Sequence, residues 1–168
     1  MSPRDKKIKI FIGIIVISVL GFAYYAISPL FINVKLDEKI PLTKTEAVEK
    51  KTEKENLPVN EPIQEIRRSS VEGTIGHPAS GFVRIVKSEN KTYVRYEEYK
   101  TINGPDIFVY LAKDKDAKEF VNLGKVKGTE GNINYEVPEG VNIREYPYVL
   151  TWCKAFGVLF NSADISAL

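Results

Sequence analysis

The feature that most constrains this chain is a run of 25 residues, positions 10–34, that contains no charged side chain. About 20 consecutive apolar residues suffice to cross the hydrocarbon core of a bilayer as a helix. Tyr24, Tyr25 and Phe31 lie toward the far end of the run, where an aromatic belt would meet the membrane interface. The run therefore predicts one transmembrane helix over residues 10–34.

The charges on either side of this run indicate its orientation. Residues 1–9 carry four basic side chains and one acidic side chain, a net charge of +3, whereas the segment that follows is balanced. Because positive charge is retained in the cytoplasm, we expect a single-pass protein of the cell membrane with a cytoplasmic N-terminus and an extracytoplasmic C-terminal domain. An uncleaved anchor is favoured over a cleaved signal peptide, whose apolar core spans only about 7–15 residues, and over a buried helix of a soluble domain.

Residues 35–70 have the composition of a charged, proline-containing linker. They carry eight basic and eight acidic side chains, include Pro41, Pro58 and Pro62, and have mostly isolated apolar residues. Such a segment buries too little apolar surface to offset the entropy lost on ordering. We expect a solvated stalk that holds the following domain off the membrane, with charge pairs that support a short helix around residues 44–55.

Residues 71–168 have the composition of one folded β domain. They contain thirteen aromatic side chains, and short β-branched and aromatic runs alternate with breaks rich in Gly, Pro, Asn and Asp. The predicted strands are Val71–Ile75, Phe82–Lys87, Tyr93–Tyr99, Ile107–Ala112, Ile133–Val137, Tyr148–Trp152 and Val158–Phe160. One stretch of the domain, around Asp114–Phe120, instead predicts a short helical turn. Seven or eight such strands predict an antiparallel sandwich or barrel.

Cys, His and Met each occur once in the chain, and these counts exclude many metal, disulfide and haem sites. One Cys cannot close an internal disulfide or hold an iron–sulfur cluster, and with one His it cannot build a blue-copper site. The only Met is Met1 and no CxxCH sequence is present, so no haem site is supported. Residues 71–168 carry twelve basic and thirteen acidic side chains, and this net charge of −1 argues against nucleic-acid binding.

A series of short motifs runs through the domain in a fixed order. They are His77-Pro-Ala-Ser-Gly81, Gly104-Pro-Asp106, Gly131-Asn-Ile-Asn-Tyr135, Tyr148-Val-Leu-Thr-Trp-Cys153 and Phe156-x-Val-x-Phe160. In order and spacing these motifs resemble the DM-thirteen domain over nearly all of residues 71–168. The resemblance implies a β-sandwich, an electron-transfer role, a frequent position beside DOMON domains, and a redox-active cysteine that corresponds to Cys153.

Cys153, the only thiol, is the candidate redox residue. A reactive thiolate forms mixed disulfides, a sulfenic acid or a metal bond. The alternative is a small apolar residue packed in a strand, where free Cys commonly lies. An unpaired thiol outside the cytoplasm is exposed to oxidants, so it is retained either because it is buried or because it has a redox function. An extracytoplasmic position of Cys153 therefore fits both interpretations.

Three residues form a candidate metal site. His77, the only imidazole, would supply nitrogen, Cys153 sulfur and Asp106 oxygen, a ligand set that suits copper or zinc. The alternatives are a loop histidine that bonds neighbouring backbone groups and an aspartate that closes the turn after Gly104-Pro105. The residues identify no cofactor; a copper or zinc ion is the candidate that this ligand set would suit.

Asn90 begins the sequence Asn90-Lys-Thr92, an acceptor for N-glycosylation in a predicted turn. No complete catalytic constellation is visible, so no enzymatic activity is assigned.

The sequence therefore favours a membrane-anchored extracytoplasmic domain with a redox or electron-transfer role through Cys153. Its partner would be a redox protein or another surface protein that the sequence does not identify. The alternative is a non-enzymatic binding module at the cell surface, which presents its sandwich loops to a protein or a glycan.

Overall fold

The computed structural model describes residues 3–41, 67–88 and 90–168. Its first element is the helix α1, Pro3–Ile27, which continues into a 3₁₀ turn at Ser28–Phe31. The stretch Lys7–Phe31 has a mean hydropathy of 2.5 and does not pack inside the protein. By length and composition it is a candidate membrane span, as the uncharged run predicts.

Ten strands and a 3₁₀ turn at Ile143–Glu145 follow in the described chain. The strands are β1 Lys35–Asp37, β2 Ser69–Ser70, β3 Glu72–Gly73, β4 Ala79–Ser88, β5 Lys91–Thr101, β6 Ile107–Ala112, β7 Phe120–Lys125, β8 Glu130–Val137, β9 Tyr148–Cys153 and β10 Val158–Asp164. They form two five-stranded sheets, with the order β1-β8-β5-β4-β2 in sheet 1 and β3-β10-β9-β6-β7 in sheet 2. Among the described strands, only the β1–β8 pair is parallel. The predicted antiparallel β-sandwich is thus confirmed, with ten described strands where seven or eight were expected.

Apolar side chains from both sheets meet in one core. Val83, Val94 and Ile133 of sheet 1 pack with Val109 and Leu111 of sheet 2, and each is at most 1% exposed. Full burial of one such side chain contributes roughly 1.5–3 kcal/mol. The strand period of two places these residues on the inner face of each sheet.

Three tyrosines, Tyr96, Tyr99 and Tyr135, lie within this core. The Tyr96 ring contacts both of the others, with centroids 4.4 Å from Tyr99 and 5.8 Å from Tyr135. The hydroxyl groups are not left unpaired: Tyr99 shares a 2.9 Å hydrogen bond with Thr151 Oγ1, and the Lys127 amide donates to Tyr135 at 3.0 Å. Buried polar groups need such partners to avoid a desolvation penalty.

The chain around the first predicted strand of the domain, Val71–Ile75, forms two short strands, β2 just before Val71 and β3 just after it. β2 pairs with β4 in sheet 1, whereas β3 pairs with β10 in sheet 2. Val71 lies between them, is buried, and donates its amide to the carbonyl of Gly81 at 2.9 Å. The chain therefore crosses from one sheet to the other at Val71, and two short strands replace the single predicted one.

The helical turn expected around Asp114–Phe120 is absent from the structure. Residues 113–119 connect β6 to β7 as a loop, in which the Asp114 carboxylate accepts hydrogen bonds from the amides of Asp116 and Lys118. Phe120 then begins β7, an edge strand that the sequence did not predict. An aspartate that bonds amides further along the chain favours a turn over a helix.

The first residues of the segment predicted as a linker pair with sheet 1. β1 lies at the edge of sheet 1, and just before it Val34 exchanges hydrogen bonds with Thr129, through Oγ1 at 2.9 Å and the amide at 2.7 Å. The sheet thus begins within the segment assigned to the linker, a few residues after the apolar helix. The short helix expected around residues 44–55 lies outside the described residues.

The strand directions define two ends of the sandwich. The connections β3–β4, β5–β6, β7–β8 and β9–β10 lie at the end where the chain leaves α1, here called the proximal end. Asn103, in the β5–β6 connection, donates to the carbonyl of Ile32 at 3.0 Å and so ties this end to the residues that follow α1. The connections β4–β5, β6–β7 and β8–β9 lie at the opposite, distal end.

Candidate functional site

The candidate redox residue, Cys153, is the last residue of β9. It lies opposite Ile107 of β6 and Val158 of β10, at the proximal end of sheet 2. Its side chain is 0% exposed and packs with Ile107 and Phe160 in a small cluster of its own. The thiol is therefore enclosed by hydrocarbon in this conformation.

A backbone carbonyl is the polar partner of this thiol. Cys153 Sγ donates to the carbonyl oxygen of Pro105 at 3.1 Å. The next amide, that of Lys154, donates to the carbonyl of Asp106 at 3.0 Å. Two consecutive residues at the end of β9 are thus fastened to the β5–β6 connection, and the thiol uses its proton in the first of these bonds.

Lys154 does not approach the thiol. Its ammonium group lies 5.7 Å from the ring centroid of Phe108, on the outer face of sheet 2. Cys153 faces the interior, because adjacent strand residues point to opposite faces.

His77 lies in the β3–β4 connection and is partly buried. Its Nδ1 is 3.2 Å from Thr74 Oγ1, and that hydroxyl donates to the carbonyl of Leu159 at 2.8 Å. The loop histidine is thereby tied to β10 through Thr74.

Phe160 is the residue that links His77 to Cys153. The His77 and Phe160 rings lie face to face, with centroids 4.0 Å apart and planes inclined by 30°. Phe160 also packs in the cluster that encloses Cys153. Gly104 makes room for this ring, since a Cβ at that position would lie 2.7 Å from Phe160 Cζ.

Residues from four separate sequence motifs therefore meet at the proximal end. We call this group the proximal cluster; it consists of His77, Gly104, Pro105, Cys153 and Phe160. The sequence singled out His77 and Cys153 as site residues, but it did not identify Phe160 as the layer between them. The contact between Thr74 and His77 could have been predicted from their three-residue spacing in the sequence. The bond from Cys153 to Pro105 could not, because its acceptor is a backbone carbonyl, which every residue has.

Asp106 has the role of a turn residue. Its φ of 60° lies in the left-handed region, which Asp tolerates better than most residues. Its carboxylate pairs with Lys125 Nζ at 3.3 Å. Burial raises the pKa of Tyr110, and the negative charge of Asp106 adds to this shift.

The three candidate metal ligands are not assembled into one site. Among the residues that the structure describes, no group of three or more His, Cys, Asp and Glu side chains is close enough to hold a metal ion. His77, Asp106 and Cys153 share the proximal end, yet each bonds a different partner: Thr74, Lys125 and Pro105, respectively.

Asn90 lies at the distal end, in the β4–β5 turn, and its side chain is exposed. Beside it is a cleft of about 150 Å³, between the β4–β5 turn and the start of the β8–β9 connection. Lys91 and Glu136 form an ion pair of 2.8 Å at its wall.

The chain matches a known protein family over most of the sandwich domain. The sequence profile of a family described as electron transfer DM13 matches residues 72–165, more than half of the chain and every residue of the proximal cluster. No curated protein and no solved structure gives a significant match.

Proposed function

Since this chain belongs to the electron transfer DM13 family, we propose that it is a membrane-anchored extracytoplasmic domain whose electron-transfer role is carried by Cys153. The observation that carries this proposal is the convergence of four motifs around one thiol. His77, the pair Gly104-Pro105 and Phe160 are distant from one another in sequence, and all of them contact the thiol or belong to or contact the ring that covers it. Core packing requires apolar side chains of suitable size and shape, but it does not require the imidazole of His77 against the Phe160 ring.

The chemistry open to a lone thiol is exchange with a disulfide of a partner protein. The Cys153 sulfur attacks one sulfur of the partner's disulfide, whose S–S bond breaks. A new S–S bond joins Cys153 to that sulfur, and the second partner sulfur leaves as a thiol with the Cys153 proton. The partner disulfide is the oxidant, and a second thiol outside this chain must release the mixed disulfide, because the chain has one Cys.

This step requires the thiol to become accessible. In the closed conformation Cys153 is 0% exposed, and its proton is engaged by Pro105. The turn that follows β9 carries the exposed residues Ala155 and Phe156, so the buried thiol lies close to a surface loop. Local opening that separates the end of β9 from the 103–106 connection would expose it at a smaller free-energy cost than global unfolding.

Thiol labelling tests this proposal on the full chain in detergent micelles. Labelling through local opening proceeds at a rate that low urea concentrations do not change, whereas labelling through global unfolding accelerates in proportion to the unfolded fraction. Two truncations on β6 provide a matched pair: Ile107→Ala removes cover beside Cys153, and Val109→Ala removes a core contact elsewhere on the same face. At equal stability, Ile107→Ala should label faster. If the two variants label at equal rates, and only in proportion to the globally unfolded fraction, Cys153 has no redox role.

Glutathione disulfide tests the chemistry itself. Wild-type protein should gain the mass of one glutathionyl group, with release of one equivalent of glutathione thiol, and the Cys153→Ser variant should gain none. A wild-type chain that labels by local opening but forms no mixed disulfide would exclude disulfide exchange as the reaction.

The complete burial of Cys153 favours a second candidate, a non-enzymatic binding module for a protein or glycan partner. The cleft beside Asn90 is then the natural contact region, because it lies at the distal end and is lined by polar groups such as Lys91 and Glu136. Glycan-array binding that survives Cys153→Ser but is lost in Lys91→Ala would support this function over the redox one.

The proposed orientation can be tested at Asn90. Expression in a eukaryotic host that glycosylates secreted domains should add one glycan if residues after α1 are extracytoplasmic. Thr92→Ala should abolish this glycan, whereas Thr92→Ser keeps the acceptor sequence and should retain it. An unmodified wild-type chain that is inserted in the membrane would oppose the proposed orientation.

A further inference from the structure

The proximal end carries exposed apolar side chains that the sandwich does not cover. Ile75, at the tip of the β3–β4 connection, is 101% exposed, and Phe156, in the β9–β10 turn, is 45% exposed. Val158 follows the same turn and is also exposed. Isolated surface apolar residues are ordinary, but a group at one end of a domain marks a contact surface.

The two tips belong to neighbouring connections. The Thr74 amide and hydroxyl both bond β10, the amide to the Phe160 carbonyl at 3.0 Å and the hydroxyl to the Leu159 carbonyl at 2.8 Å. Ile75 follows Thr74 directly, so it emerges beside the start of β10, where the β9–β10 turn ends. Ile75 and Phe156 therefore belong to one surface.

The candidate membrane span passes beside this surface. The rings of Phe22 and Phe156 form an edge-to-face pair, with centroids 6.2 Å apart and planes at 89°. Phe22 lies within the stretch Lys7–Phe31 and five residues before the end of α1, which is roughly 7 Å along a helix that rises 1.5 Å per residue. The β9–β10 turn is therefore level with the span instead of beyond it.

Cationic side chains lie beside these apolar tips. Lys154 opens the β9–β10 turn, and its ammonium group lies over the Phe108 ring, as does that of Lys125. Long basic side chains next to aromatic rings are typical of the membrane interface, where the stems stay with apolar groups and the charges reach the headgroups.

From these contacts we infer that the proximal end docks on the lipid bilayer itself, with Phe156 and Ile75 embedded in its interfacial region. The inference rests on the proposed membrane anchoring and adds a second, independent contact with the same membrane. It also places Cys153, three residues before Phe156, at the lipid interface, so that opening of the β9–β10 turn would expose the thiol to the headgroup region first.

Tryptophan scanning tests the inference on the full chain in phosphatidylcholine vesicles that contain brominated acyl chains. The background is Trp152→Phe, which removes the only native tryptophan. Phe22→Trp reports on the span, Phe156→Trp on the proximal tip, and Phe120→Trp is the matched control, since Phe120 is 44% exposed and begins β7 at the distal end.

The expected result is loss of fluorescence on bromination for tryptophan at positions 22 and 156, and none at position 120. Ile75→Trp should behave like Phe156→Trp. Quenching at 22 without quenching at 156 would overturn the docking while leaving the anchor intact. Absence of quenching at 22 would mean that the anchor itself has failed, and the docking with it. Equal quenching at 120 and 156 would overturn the assignment to the proximal end.

Discussion

The thiol of Cys153 donates a 3.1 Å hydrogen bond to the carbonyl oxygen of Pro105, 48 residues earlier in the chain. This bond joins the end of β9 to the turn before β6, and it gives the one cysteine of the chain a defined partner inside an apolar cluster. Any chemistry at the sulfur must begin by breaking it.

Removal of this thiol is expected to destabilise the domain. Cys153→Ala leaves the Pro105 carbonyl without its partner and opens a small cavity beside Ile107, so the free energy of unfolding should fall by about 1–3 kcal/mol. Urea unfolding of the full chain in micelles measures this loss. Cys153→Ser retains a donor group and should lose less; equal stability of Cys153→Ala and wild type would show that the hydrogen bond contributes nothing.

Gly104 is expected to tolerate no side chain while Phe160 keeps its position. A Cβ at Gly104 would lie 2.7 Å from Phe160 Cζ, so Gly104→Ala must displace the ring and should cost about 1–3 kcal/mol. The displaced ring also uncovers Cys153, and labelling of the thiol should accelerate.

A double variant separates this local effect from general damage. Phe160→Leu removes the ring edge that Gly104→Ala would strike, so the two substitutions together should cost less than the sum of the single changes. Additive losses would show that the two residues are not coupled.

Gly131 is expected to control the attachment of β1. Its φ is +119°, and a Cβ there would overlap the carbonyl oxygen of Leu36. Gly131→Ala should therefore release β1 from β8 and expose the Glu38 amide, which now donates to the Asn132 carbonyl at 2.8 Å. Hydrogen exchange measures this: the Glu38 amide should lose protection while that of Val94, in the core, keeps it. Unchanged protection at Glu38 would contradict the close approach.

Because three tyrosines are buried in the core, we expect the domain to lose stability at alkaline pH. Burial raises the pKa of Tyr96, Tyr99 and Tyr135, whereas an unfolded chain ionises its phenols near pH 10, at about their ordinary pKa. Between the unfolded and the folded pKa the unfolded state has released protons that the folded state retains. The free energy of unfolding must therefore fall as the pH rises above about 10.

Tyr135→Phe tests this pH dependence. The variant loses the hydrogen bond from the Lys127 amide, worth about 1 kcal/mol at neutral pH, but it removes one of the three phenols. Its stability should decline less steeply than that of wild type between about pH 9 and pH 11. Parallel curves for the two proteins would contradict a contribution from Tyr135.

Local pattern was sufficient to predict most of the sandwich. The runs Ile107–Ala112 and Tyr148–Trp152 were predicted as strands from their β-branched and aromatic residues, and the structure pairs them directly within sheet 2. The pattern failed where pairing is short or weakly apolar: β7 carries Asn122 and Gly124 on an edge, and β1 lies among charged residues. Such strands are stabilised by a partner distant in sequence, which local composition does not record.

The candidate site was predictable as a set of residues but not as an arrangement. Family resemblance identified Cys153, and the strand period placed it on the same face as Thr151, yet neither observation says which face is buried. The layer that Phe160 forms between His77 and Cys153 depends on long-range pairing of β3 with β10. His77, Asp106 and Cys153 were grouped as a metal site because their side chains are suitable ligands. In the fold each of these side chains bonds a different partner.

The pairing of β1 with β8 shows what a shortened form of this protein would lose. β1 and β2 are the two outer strands of sheet 1, and both lie before residue 71. A fragment that starts at residue 71, where the composition changes, would therefore lack both strands and leave β8 and β4 as new, unprotected edges. Exposed edges of this kind invite association between copies, so residues 35–37 and 69–70 belong in any soluble fragment of the domain.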